Sequence, residues 1–353
     1  MALTTTALLC LVFSSYLLHS SIYVTKALSQ SYPPLAEGLS WDFYDSSCPK
    51  LESTIRRHLR KAFKGDIGLA PALLRIHFHD CFVQGCDASV LLAGSASGPS
   101  EQDAPPNLTL RREAIQLIDE LRMHVHRKCG TVVSCADITA LAARDSVYLS
   151  GGPEYAVPLG RRDGQHFATR NETLAFLPPP TGNTTSLIAS FGKLNLDTLD
   201  LVALSGGHTI GIGHCGSFSN RLYPTRDPVM ENSFARKLYR TCPTSDSNNT
   251  VVLDLKSPSR FDNKYYVNLM NRQGLFTSDQ DLYTDRRTRG IVTSFALDQE
   301  LFFESFAYSM VKMGQLSVLT GNQGEIRANC SARNLDLSLS SVVEDGGKGL
   351  SQF

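Results

Sequence analysis

Apolar residues recur along this chain three and four positions apart, the spacing that gathers them on one face of an α-helix. Leu51, Ile55, Leu59 and Phe63 make one such stripe, and Ile115, Ile118, Leu121 and Val125 make a second. Ser134-Cys-Ala-Asp137 reads as a capped helix start, with the aspartate at the positive end of the helix dipole. The helix after it ends at Gly151-Gly-Pro153. Asp197 is placed to cap a helix over Leu199–Leu204 that stops at Gly206-Gly207, and Asn232–Tyr239, Asp262–Met270 and Leu301–Met313 continue the pattern. Alternating strand patterns are scarce. The expected fold class is mainly α, with long loops.

The main break in composition is Leu177-Pro-Pro-Pro-Thr-Gly182, which divides a half carrying RIHFHDC from a half carrying LSGGHT. Residues 1–25 carry no charge and hold an apolar run broken by serines, which reads as a signal peptide over 1–27 with its cleavage point near Lys26-Ala27. A membrane anchor is the competing reading, but the polar interruptions keep the run below the roughly 20 apolar residues a span needs. The expected organisation beyond it is a mobile segment at 28–38, one domain over 39–333, and a tail at 334–353 that is either processed or free.

Charge narrows the partners. There are 34 basic and 34 acidic side chains and no Lys/Arg block, which argues against a nucleic-acid groove and against a stable membrane partner. Losing the leader removes Cys10 and leaves eight of the nine cysteines, an even number that reads as disulfides in an exported chain. Asn171, Asn183 and Asn248 lie in glycosylation sequons. Asn107 and Asn329 also match the pattern.

The candidate chemistry lies in Arg75-Ile-His-Phe-His-Asp-Cys-Phe-Val-Gln-Gly-Cys-Asp-Ala-Ser89. On a helix Arg75 and His79 are one turn apart on one face, while His77 points elsewhere and reads as structural. A fixed guanidinium keeps a neighbouring imidazole neutral by charge repulsion. Such a pair can take a proton from one atom and stabilise negative charge on its neighbour, as cleavage of a peroxide O–O bond requires. Just downstream, Asp80, Asp87 and Ser89 offer side-chain oxygens. The carbonyls of Val83 and Gly85 can join them around Ca²⁺, in a loop that a Cys81–Cys86 bridge would close. Zinc held by His77, His79, Cys81 and Cys86 is a competing reading that an oxidising compartment disfavours. In the second half, glycines around His208 would let a flat, bulky group approach the backbone. By itself His208 reads more readily as a structural histidine than as a ligand.

Taken together, RIHFHDCFVQGCDAS, SCAD, VPLGRRDG, LVALSGGHTIG, FDNKYYVNL and GLFTSDQDLY resemble, in order, the motifs of the secreted plant haem peroxidases of class III, over Leu39 to Arg333. The resemblance implies a haem peroxidase fold whose distal and proximal helical halves sandwich haem b. It implies His208 as the iron ligand, with Asp279 accepting that ring's other N–H. His79 would be the acid–base residue, Arg75 the charge stabiliser, Asn107 the group that orients His79, and Phe78 the aromatic that shields the reacting oxygen. Asp80, Val83, Gly85, Asp87 and Ser89 match a distal calcium site, with Glu101 linked to it through its surroundings. Thr209, Asp254, Ser257, Arg260 (by its carbonyl) and Asp262 match a proximal one. The implied disulfides are Cys48–Cys129, Cys81–Cys86, Cys135–Cys330 and Cys215–Cys242. The third of these spans most of the fold and is worth of order 5 kcal/mol in a chain-entropy model.

The activity so implied is reduction of H₂O₂ coupled to one-electron oxidation of small phenolic donors, with Pro178 contacting the donor, by a monomer exported to the cell wall or the vacuole. An Asn107 committed to the pocket and an Asn329 beside a half-cystine make those two sequons poor glycan acceptors. Departures gather around substrate access: Pro105-Pro106 before Asn107, Leu110-Arg-Arg-Glu113 after it, an added proline at 177–180, and Gly216-Ser217 with no aromatic. Ser257 stands where threonine is usual and keeps the hydroxyl. Two other classes remain to be tested: a haem-free, calcium-stapled extracellular binding protein of the same fold, and a secreted metallohydrolase.

Overall fold

The computed structural model describes residues 32–94 and 100–334. The leader, Cys10 and the tail beyond 334 lie outside the described residues. Contacts within the chain group 34–353 apart from 1–33, and the larger unit carries every helix and strand among the described residues.

These elements are twelve α-helices, several short 3₁₀ turns and two three-residue strands. In the first half, α1 (Leu51–Gly65) and α2 (Leu69–Phe82) precede α3 (Arg112–Cys129) and α4 (Cys135–Leu149). Leu51, Ile55, Leu59 and Phe63 are all buried, as their spacing requires. The face of α3 is turned slightly from the expected one: Ala114, Leu117, Ile118, Leu121 and Val125 are buried, and Ile115 is only half-buried. Ser134 caps α4 by accepting from the Asp137 N–H at 3.0 Å. α4 is buried almost end to end and packs along both α1 and α2. That central helix is the floor on which α2, with Arg75 and His79, is laid.

The connecting helices are α5 (Arg170–Phe176) and α6 (Thr184–Gly192). The second half comprises α7 (Thr198–Ser205), α8 (Asn232–Thr241), α9 (Lys264–Met270), α10 (Thr277–Thr284), α11 (Arg286–Leu297) and α12 (Gln299–Met313). Asp197 caps α7 through the Asp200 N–H at 2.9 Å. The chain then tightens into a short 3₁₀ turn, Gly206–Thr209. Strands β1 (Ile212–His214) and β2 (Thr250–Val252) pair antiparallel, Ile212 opposite Val252. Phe261, Tyr266, Phe295, Phe302 and Phe306 form an aromatic core under this half. Gly206 is pressed onto that core: a Cβ there would lie 2.4 Å from both Phe302 and the Tyr266 hydroxyl. Any larger residue would displace the turn that carries His208.

All four implied disulfides are present. Ahead of Leu39, the Ala36 N–H donates to Gln315 Oε1 at 2.6 Å and Thr320 Oγ1 donates to the Glu37 carbonyl at 3.1 Å. Part of the segment expected to be mobile is therefore tied down. Asn171, Asn183 and Asn248 are exposed, whereas Asn107 is buried.

Candidate active site

α2 places His79 with its ring fixed at one end. Asn107 donates from Nδ2 to the Glu101 carbonyl at 2.8 Å, which turns its Oδ1 toward His79. His79 Nδ1–H donates to that oxygen at 2.6 Å, so the lone pair lies on Nε2. Arg75 reaches the same point, its Nε–H 3.2 Å from His79 Nε2. Burial first, and the Arg75 charge second, push the His79 pKa down to about 3, against a smaller upward pull from Asn107. The neutrality expected from charge repulsion is thus mainly a consequence of desolvation. Burial also lowers the Arg75 pKa to about 10, which leaves it a cation at neutral pH. Phe78 sets its ring edge-on to His79, centroids 5.1 Å apart. His77 is turned into the core beside Arg161, and burial holds its pKa down to about 3.

In the second half the 3₁₀ turn presents His208. Its Nδ1–H donates to Asp279 Oδ1 at 2.7 Å. Asp279 also accepts from the Tyr265 hydroxyl at 2.9 Å and from the Phe276 N–H at 2.8 Å, so the carboxylate is held from three sides. The His208 side chain is 39% exposed, and its Nε2 has no hydrogen-bond partner among the described residues. This turn adjoins α2: Cβ atoms at Gly207 and Gly211 would lie 3.5 Å from Leu74 and 3.1 Å from Pro71.

The oxygen-rich loop after α2 is buried and under-satisfied. Asp80 Oδ1, Ser89 Oγ and Glu101 Oε1 have no hydrogen-bond partner among the described residues. Desolvation, with Asp87 second, raises the Asp80 pKa well above the carboxylate range. Burial raises the Asp87 pKa also. It takes Glu101 up to about 7. Orphaned oxygens on mutually repelling carboxylates are what a bound cation would resolve. Gly85 makes the sharp turn at φ +118°, where a Cβ would strike the Ser317 carbonyl, and Val83 closes the end of α2. Asp254 accepts from Thr209 Oγ1 at 3.1 Å and Asp262 accepts from Ser257 Oγ at 2.9 Å, which brings the second set together. Arg260 lies in the same loop, its N–H donating to the Ser257 carbonyl. Zinc is ruled out at the first site because Cys81 and Cys86 are bonded to each other. No group of three or more His, Cys, Asp or Glu side chains is placed to hold a metal among the described residues. Each oxygen set would therefore add hydroxyl and carbonyl ligands to its two aspartates.

Pro178 is half-buried, and the proline run turns at Pro179, whose carbonyl accepts from Gly182 N–H. Sequence reasoning missed two residues that touch the site. Tyr265 supports Asp279. Thr109, seen only as the third member of a sequon, contacts Arg75.

A helical fold that commits one imidazole to a neutral amide beside a guanidinium, and a second to a carboxylate, is that of a haem peroxidase. A family model described as Peroxidase matches residues 55–298. Peroxidase 12 of Arabidopsis thaliana is 67% identical over 313 residues, covering 89% of this chain and 87% of the relative. Cationic peroxidase SPC4 of Sorghum bicolor is 58% identical over 328 residues, 91% of each chain. Peroxidase 1 of Oryza sativa subsp. japonica is 46% identical over 303 residues, covering 83% and 92%. The chain belongs to the peroxidase family, as a plant peroxidase of class III, and is a haem-dependent enzyme. The haem-free and metallohydrolase readings are set aside.

Proposed function

We propose that this peroxidase uses H₂O₂ to oxidise small phenolic donors, with haem b on His208 Nε2 and two Ca²⁺ ions as structural cofactors. The observation that carries the reading is the contrast between the two histidines. Each commits its Nδ1 proton to a fixed acceptor and frees Nε2, but the acceptors differ. A neutral amide leaves His79 a modest base suited to moving a proton. A carboxylate makes His208 an electron-rich ligand.

When bound, haem supplies the Lewis acid and the electrons for O–O cleavage. His79 Nε2 takes the proton from the nearer peroxide oxygen and returns it to the farther one, which leaves as water. Arg75 stabilises the charge that develops on that leaving oxygen. Asn107 holds the His79 tautomer, Phe78 would keep bulky donors from the reacting oxygen, and Pro178 would contact the donor instead. The donor set fits the cofactors: His208 has an Nε2 backed by Asp279 and unpartnered among the described residues, and the buried Asp80 Oδ1, Ser89 Oγ and Glu101 Oε1 lack partners there too. Thr209, Asp254, Ser257, Asp262 and the Arg260 carbonyl would hold the second ion. Four disulfides support export, and the proposal places the enzyme in the wall or the vacuole, acting as a monomer.

The test is optical. The purified protein should show a Soret band that shifts on adding H₂O₂. His79→Ala should keep the band and slow the shift by the ~10²–10⁴ typical of general acid–base loss. His208→Ala should change the resting band itself. A spectrum untouched by His208→Ala removes the assignment of the ligand.

A further inference from the structure

Arg75 has three hydrogen bonds besides the one to His79, and all go to a single turn. Nη2 donates to the Pro106 carbonyl at 2.7 Å and to Thr109 Oγ1 at 3.0 Å, and Nη1 donates to the Thr109 carbonyl at 3.2 Å. The same turn carries Asn107, the acceptor that fixes His79. Its backbone is self-braced: Asn107 and Leu108 N–H groups donate to the Ala104 carbonyl, and the Leu110 N–H donates to the Asn107 carbonyl. Pro105 and Pro106 limit its freedom further. Thus one rigid turn registers both members of the distal pair.

We infer that Thr109 is a positioning residue for Arg75: its hydroxyl and carbonyl clamp both terminal nitrogens so that the remaining Nε–H points into the gap at His79 Nε2. This rests on the roles proposed above for Arg75 and His79. The two carbonyl contacts set where the guanidinium lies. The hydroxyl gives Nη2 a second acceptor and so fixes the rotation of the fork. Without it, the planar group can swing about its stem and Nε–H loses its aim. The Asn107-Leu-Thr109 pattern, read from sequence as a sequon, is then accounted for by the pocket. Its asparagine is buried and its threonine is bonded to the guanidinium.

The experiment uses the haem-loaded enzyme with Thr109→Val, which removes the hydroxyl at similar volume, and Thr109→Ser, which keeps it. Two readouts are taken: the second-order rate of reaction with H₂O₂, and the dissociation constant of fluoride for the ferric enzyme, an anion that needs the same N–H. Because Thr109 is exposed and water can partly replace its hydroxyl, Thr109→Val should weaken both by about 3–10-fold, less than complete loss of a charge-assisted bond. Thr109→Ser should stay within roughly twofold of the parent in both, and haem content should not change in either. The clamp is overturned if Thr109→Val matches the parent or exceeds it in either readout, or if Thr109→Ser is as impaired as Thr109→Val. Arg75→Leu separates the two levels. If it leaves both readouts intact, the role of Arg75 itself is wrong. If it impairs both while Thr109→Val is silent, only the clamp is wrong.

Discussion

Asn107→Val isolates the amide that fixes His79, the base proposed above. In the parent, Asn107 Oδ1 accepts from His79 Nδ1 at 2.6 Å, deep in the protein. Valine offers no acceptor, and the buried ring then has two ways out. It can keep its proton on Nδ1 unpaired, at a cost of about 1–3 kcal/mol. It can instead move the proton to Nε2, where the lone pair is lost and the new N–H faces the Arg75 Nε–H across 3.2 Å. The lost bond also removes the one contact that raises the ring's basicity. A loss of about 1.5–3 kcal/mol in transition-state stabilisation corresponds to a rate roughly 10–150-fold lower. Stopped-flow measurement of the reaction with H₂O₂, at matched haem content and between about pH 4 and 8, reads this directly. Asn107→Asp should behave differently. A carboxylate holds the same tautomer and makes His79 more basic, so most of the rate should survive near neutrality and fail earlier on acidification. An Asn107→Val enzyme within roughly twofold of the parent at every pH would refute the reasoning, since the predicted deficit is at least about tenfold.

Three further outcomes concern stability. His77 and His79 are held neutral, with pKa values down to about 3, against about 6.5 unfolded. Their contribution to stability is full above about pH 6.5 and is lost as pH falls toward about 3, by roughly 2–3 kcal/mol per ring at about pH 4.5. The urea midpoint of the parent should therefore fall more steeply below about pH 6.5 than that of His77→Gln; parallel curves would count against a buried neutral His77. Calcium chelation should lower the thermal midpoint by leaving Asp80, Asp87 and Glu101 buried together, and adding Ca²⁺ should restore it; insensitivity to chelation would remove the distal ion. Asp137→Ala should cost about 3–5 kcal/mol, because it strands the fully buried Arg161 that Asp137 binds at 2.8 Å. A denaturant midpoint near the parent's would show that the Gly314 and Pro158 carbonyls, which also accept from Arg161, suffice.

What could be read from sequence tracks how local each feature is. The i, i+4 relation of Arg75 and His79 is a property of one helix, and so were the buried stripe of α1 and the caps of α4 and α7. The shift on α3 arose because Ala114 is small enough to be passed over as a stripe member, yet it is buried while Ile115 is not. The links that complete the site join residues 28 and 71 positions apart, His79 with Asn107 and His208 with Asp279. No periodicity encodes such distances, and only the likeness of motifs connected them. Thr109 and Tyr265 stayed invisible for the same reason: their hydroxyls matter because of where a loop and a helix pass. The dominance of burial over charge at His79 was also out of reach, since a sequence places neighbours but not the water they exclude.

The proline run and the helix that carries Asp279 are mechanically joined. The Ser278 N–H, next to Asp279, donates to the Pro180 carbonyl at 3.0 Å, and Asp281 accepts from the Thr184 N–H at 2.7 Å. If donors enter past Pro178, as proposed above, an engineer who grafts a new loop at 177–182 to admit larger ones would thereby tug on α10. Donor scope and redox tuning should then drift together in such a library, and a successful graft will need compensating changes around Ser278 and Asp281.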